Sequence, residues 1–117
     1  MGAIMLATSE NTAEEYGGNI KESKNYESFT RGGVVFEAAV VNQVVFLKMI
    51  DGSTTSSLST GDVIGKVPDK YKPYIATDNR DTLSNKRYIV KTNGDIEFRE
   101  SVPSGTALRG SITYLQA

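Results

Sequence analysis

Tyr88-Ile89-Val90-Lys91-Thr92-Asn93-Gly94-Asp95-Ile96-Glu97-Phe98 is the stretch that decides the fold. Two runs of strand-forming residues flank an Asn-Gly pair, the strongest short-range hairpin signal a sequence carries. Two registers compete. A two-residue loop pairs Thr92 with Asp95 and places Lys91 beside Ile89, Ile96 and Phe98. A three-residue loop with Gly94 left-handed pairs Lys91 with Asp95 and gathers Tyr88, Val90, Ile96 and Phe98 on one face. A one-residue slip moves every side chain to the opposite face, so the all-apolar face and the opposite-charge pair favour the second register. Ile89 is its misfit.

Upstream, Val34-Val35-Phe36 and Val40-Val41 precede Asn42-Gln43, and Val44-Val45-Phe46-Leu47 follows it. β-branched and aromatic residues at this density favour strands over about 33–41 and 43–50, joined by a tight turn. In the second of these, Val45, Leu47 and Met49 share one face. Val44, Phe46 and Ile50 share the other, with Lys48 among them. A strand apolar on both faces is covered on both. Val44, Phe46 and Ile50 are therefore the expected oligomer interface. The intrachain alternative is a cover from the N-terminal segment, through Ile4–Leu6 or Tyr26–Phe29.

Outward from these pairs the pattern stays β. Asp51-Gly52 marks a turn, and Ser53–Thr60 reads as a polar loop or exposed edge strand. A strand is expected at about 62–67. Pro68 and Pro73 then bracket Asp69-Lys70-Tyr71-Lys72, and neither proline suits a central strand. A short strand at Tyr74–Thr77 precedes Asp78–Arg87, which reads as an exposed loop. The last strand, about Ala107–Leu115, alternates Leu108, Gly110, Ile112 and Tyr114 with Arg109, Ser111 and Thr113. About seven short strands without a long helix predict an all-β fold, an antiparallel β-sandwich of jelly-roll-like type. It spans residues 31–117. Residues 1–30, rich in charge and broken by Gly17-Gly18, read as a linker or connection with a short helix near Thr12–Tyr16.

Composition narrows the chemistry. The 117 residues hold 13 Lys+Arg, 14 Asp+Glu and no His, Cys or Trp. That excludes His- or Cys-based nucleophilic catalysis, Cys/His zinc sites and disulfides. Near-neutral charge argues against nucleic acid as a partner, because affinity for a polyanion comes from cations. No apolar run approaches the roughly 20 residues of a membrane span, and the N-terminal residues match neither a secretory signal nor a myristoylation site. Gly61-Asp62-Val63-Ile64-Gly65-Lys66 falls one residue short of a phosphate loop and lacks its Ser/Thr. Paired carboxylates remain the one enzymatic route, but the acids lie in turns or alternate outward on strands. No catalytic residue, metal or cofactor is expected. Tyr71 and Tyr74, with Asn79 and Arg80 in the next loop, form the candidate ligand site. Aromatic rings stack on the apolar faces of sugars while amide and guanidinium groups bond hydroxyls.

From Thr60 onward the order of signals resembles the C-terminal β-sandwich modules of bacteriophage tail and baseplate proteins, receptor-binding proteins included. The corner is Val67-Pro68-Asp69-Lys70-Tyr71-Lys72-Pro73. Ile89-Val90-Lys91-Thr92-Asn93-Gly94-Asp95-Ile96 supplies the following hairpin, and Ser104–Tyr114 the small-residue loop with its Tyr-ending strand. The resemblance covers residues 30–117. It implies a non-catalytic virion component, made in the bacterial cytoplasm and assembled into the tail or baseplate as a homotrimer with other tail proteins. A host cell-wall saccharide is the ligand it implies. The alternative is a stand-alone carbohydrate-binding β-sandwich module.

Overall fold

The computed structural model describes residues 26–117. The expected helix at Thr12–Tyr16 and the expected cover from Ile4–Leu6 lie outside the described residues. Eight strands are formed: β1 (Glu27–Arg31), β2 (Val34–Val41), β3 (Val44–Gly52), β4 (Val63–Lys66), β5 (Thr77–Arg80), β6 (Arg87–Val90), β7 (Asp95–Phe98) and β8 (Gly110–Leu115). Among the described residues, a 3-10 turn, Asp69–Tyr71, joins β4 to β5. Two four-stranded antiparallel sheets result, one ordered β1-β2-β3-β8 and the other β4-β7-β6-β5. The fold is an all-β antiparallel sandwich.

The β6–β7 hairpin has the preferred register. Tyr88 pairs with Phe98 and Val90 with Ile96, and all four are buried. Lys91 N–H donates to Asp95 O at 2.9 Å, and Gly94 N–H donates to Lys91 O at 2.8 Å. Gly94 has φ +96°. A β-branched residue there is strained, so Gly94→Val is expected to cost more than about 1 kcal/mol. An unchanged denaturant midpoint for that variant refutes the assignment.

The core lies between the two inner faces. Phe36 and Ala38 of β2, with Val45, Leu47 and Met49 of β3, meet Tyr88, Val90, Ile96 and Phe98 across the interface. Both seams between the sheets are closed. At one, Arg31 Nε of β1 donates to Lys66 O of β4 at 2.7 Å. At the other, Asn79 Nδ2 of β5 donates to Ser111 O of β8 at 2.8 Å, and Thr82 N–H donates to Arg109 O at 2.7 Å.

Several boundaries differ from expectation. β1 lies partly within the segment read as a linker, so the sheet starts at Glu27 rather than at 31. Its Phe29 stacks on Phe36, with ring centroids 5.4 Å apart. No strand forms at Tyr74–Ala76; β5 instead starts at Thr77, the last residue of the expected strand, and runs to Arg80 through the start of the stretch read as an exposed loop. β5 is a sheet edge with three of its four residues exposed, so it needs no apolar alternation to pair with β6. The register between β2 and β3 shifts from Phe36↔Met49 to Val35↔Asp51. Ile50 falls in that bulge and is 37% exposed.

Candidate functional site

Tyr71, in the corner from Val67 to Pro73, is one of the four candidate ligand residues. The corner anchors the sandwich. Pro68, with φ −56° and ψ 151°, turns the chain out of β4, since the ring fixes φ and removes a ladder donor. The 3-10 turn then drives Tyr71 inward, where it is 2% exposed. Its hydroxyl donates to Glu27 Oε1 at 2.9 Å, and its ring stacks 6.4 Å from Phe29. Tyr114 Oη donates to Tyr71 O at 2.7 Å. Burial foremost, then the Glu27 bond, pushes the Tyr71 hydroxyl above its usual range. Lys70, 3.0 Å from Glu27, is the main cause that holds the Glu27 carboxyl below its usual range. Tyr71 therefore offers no ring face to a sugar.

The other three candidates do not converge. Tyr74 is 65% exposed, and its N–H donates to Leu115 O at 2.8 Å. Asn79 and Arg80 are successive residues of an edge strand and so face opposite sides of the sheet. Asn79 pairs with buried Tyr88 and Arg80 with Arg87. Asn79 is spent on Ser111 O. Arg80 Nη1 donates to Asn85 O at 3.0 Å and to Glu100 Oε2 at 3.1 Å. Of the four, Tyr74 alone keeps a free aromatic face.

The two outer faces of the sandwich differ in chemistry. On β6, β7 and their neighbours, cations meet carboxylates: Arg87–Asp78 at 2.8 Å, Lys91–Glu97 at 3.1 Å and Lys66–Asp95 at 2.9 Å. Arg99 also holds Glu97. Lys91, first among the causes, keeps the Glu97 carboxyl below its usual range. The exposed pairs Arg87–Asp78 and Lys66–Asp95 add little stability each, Glu97 is buried between Lys91 and Arg99, and together they leave the face electrically balanced.

The outer face of β2, β3 and β8 is apolar at one end. Val44 pairs with Val41 on one side and Leu115 on the other, and Phe46 pairs with Ala39 and Thr113. Val41 is 42% exposed and Leu115 58%. Val44 and Phe46 are half-buried. The Tyr26 ring lies on the same face, 4.4 Å from Lys48 Nζ. The expected interface residues Val44 and Phe46 thus lie together, with exposed Ile50 at the bulged end of the same strand. Val41 and Leu115, which sequence reasoning did not assign, complete the row. Their signal was the end-of-strand apolar residue on each side of the Asn42-Gln43 turn and at the close of the last strand.

Asp81 was also missed. It is 1% exposed and organises the loop between β5 and β6. Its Oδ2 accepts from the backbone N–H groups of Leu83 and Ser84 at 3.2 and 2.7 Å, and its Oδ1 from Lys86 at 2.6 Å. Ser84 Oγ donates to Ala107 O at 2.9 Å, tying the loop to the segment before β8. Burial, then the Asp81 charge, raises the Tyr88 hydroxyl above its usual range.

Among the described residues there is no group of three or more His, Cys, Asp or Glu side chains placed to hold a metal ion, and no helix is long and apolar enough to cross a membrane. No protein-family model matches the chain, and no curated protein matches it in sequence.

Proposed function

We propose that the chain is a non-catalytic β-sandwich module of a bacteriophage or prophage tail or baseplate, built into the virion as a homotrimer with other tail proteins and turned toward a host cell-wall saccharide. One observation supports this reading above the others. The corner, the Asn-Gly hairpin and the Tyr-ending strand, on which the resemblance rests, meet at one end of the sandwich. Val67 N–H donates to Gly94 O at 3.0 Å, Tyr114 Oη reaches the corner at Tyr71 O, and Pro73 bridges Gln116. The three segments thus act as one structural unit. The stand-alone carbohydrate-binding reading shares the exposed Tyr74 but needs no assembly.

Binding to a panel of purified bacterial cell walls tests the ligand. Tyr74→Ala is expected to weaken adsorption about tenfold, ~1.4 kcal/mol, in line with the loss of one stacking ring. Arg80→Ala is expected to leave adsorption unchanged, because Arg80 is already engaged by Asn85 and Glu100. Melting temperature should hold in Tyr74→Ala. Equal adsorption by wild type and a folded Tyr74→Ala removes this ring from the ligand site. A monomer that binds free sugar at millimolar concentration favours the stand-alone module.

A further inference from the structure

We infer that the row Val41–Val44–Phe46–Leu115 is the surface through which copies of this chain meet, with Tyr74 at its rim. This rests on the reading of the chain as an assembling module and names the face that assembles. The row is continuous through direct cross-strand pairs, from Val41 to Val44 to Leu115. Monomers seldom leave such an apolar stretch in water when the equivalent face of the other sheet is laced with ion pairs.

The β4 and β8 edges are poor alternatives. At the β1/β4 seam Arg31 occupies Lys66 O. At the β5/β8 seam Asn79 and Thr82 occupy Ser111 O and Arg109 O, and Tyr74 N–H occupies Leu115 O. Carbonyls already bonded within the chain are lost as templates for an added strand. With these carbonyls engaged, the apolar sheet face is the favoured surface for association.

Charge identifies the occupant. The row itself is uncharged. The cross-strand pair Glu37↔Lys48 borders it on the same face and carries one charge of each sign. A second copy presents the same apolar row and the same opposite charges, so it meets no uncompensated ion. A nucleic acid would find Lys48 alone, already over the Tyr26 ring. Copies related by closed cyclic symmetry bury the row without leaving an open end.

Light scattering and sedimentation of the full chain between about 1 and 100 µM test the surface. Wild type is expected at three times the 12.7 kDa chain mass. Phe46→Asp should give monomers or insoluble protein. Because Phe46 is half-buried, the deciding variant is Val41→Lys with Leu115→Lys, both at exposed positions, which should raise the dissociation midpoint at least tenfold with its melting transition retained. Leu83→Lys, equally exposed but on the Asp81 loop, should assemble as wild type does. An assembled wild type whose Val41→Lys/Leu115→Lys variant assembles equally well overturns this surface while the assembling-module reading stands. A wild-type monomer throughout the range overturns the surface and the homotrimer together, and leaves a cover from residues 1–25 as the explanation of the apolar row.

Discussion

Gly52→Ala is expected to lower stability by about 3 kcal/mol, with a fall in melting temperature on the order of 12 °C or more for a domain of this size. Gly52 has φ +88°, and a Cβ there would stand 2.2 Å from Gly33 O. Gly33 is the reciprocal case: with φ +89°, its Cβ would stand 2.3 Å from Ser53 O. The two backbones approach so closely that only hydrogen fits between them. The left-handed conformation costs an alanine roughly 1–2 kcal/mol. The clash adds to this by forcing apart the ends of β2 and β3 beside the bulge. Gly61 separates the two effects. It has φ +92° but nothing within 4 Å of its Cβ position, so Gly61→Ala should lose only the conformational part, about 1 kcal/mol. Chemical denaturation of both variants decides the matter. Equal losses would mean that the close approach at Gly52 relaxes freely.

Asp81→Ala is expected to cost a similar amount, about 3 kcal/mol, by a different route. The substitution strips an ionic acceptor from the N–H groups of Leu83, Ser84 and Lys86 in a site closed to water. Hydrogen bonds to a charged group are worth roughly 1.5–3 kcal/mol, and a buried donor left without a partner loses its hydration as well. Asp81→Asn should lie between wild type and alanine. It keeps one acceptor oxygen but turns an NH₂ toward backbone donors. Hydrogen exchange at Ser84 and Lys86 gives the local readout, with protection lost in Asp81→Ala while Val90 and Ile96 remain slow. Full protection at Ser84 and Lys86 in that variant would show that the loop holds its shape without the carboxylate.

The parts of the fold legible in the sequence are those where one local rule dominates. The β6–β7 register follows from Asn93-Gly94 together with the demand that Tyr88, Val90, Ile96 and Phe98 share a face. The inward row of β3 follows from simple alternation. The outer row was only half legible, because Val41 and Leu115 join it through cross-strand pairs, and the apolar pattern of β3 alone does not announce its partners. β5 was hidden for a related reason: an edge strand with wet faces has the composition of a loop. Asp81 stood in Asp78-Asn79-Arg80-Asp81, four polar residues of which only the last is buried. What distinguishes it is the chain's return around its carboxylate, which no residue type announces. The candidate ligand site fared worst. Nearness in sequence does not make nearness in space: Tyr71 turns inward while Asn79 and Arg80 part to opposite faces.

The strand order also sets a timetable for folding. Sheet β4-β7-β6-β5 is drawn from one continuous stretch, Val63 to Phe98, and its central hairpin closes across a few residues. The other sheet takes β1, β2 and β3 from the beginning of the described chain but must wait for β8. The Val44↔Leu115 pair bridges 71 positions. Loop-closure entropy makes so distant a pairing late, and β-rich chains dominated by such contacts fold slowly. On the ribosome, β3 remains an open edge until β8 has been synthesised, which is the interval in which such an edge can pair with the wrong chain. A destabilised β8 should therefore show itself first as inclusion bodies during expression rather than as a lower melting temperature of the material that survives.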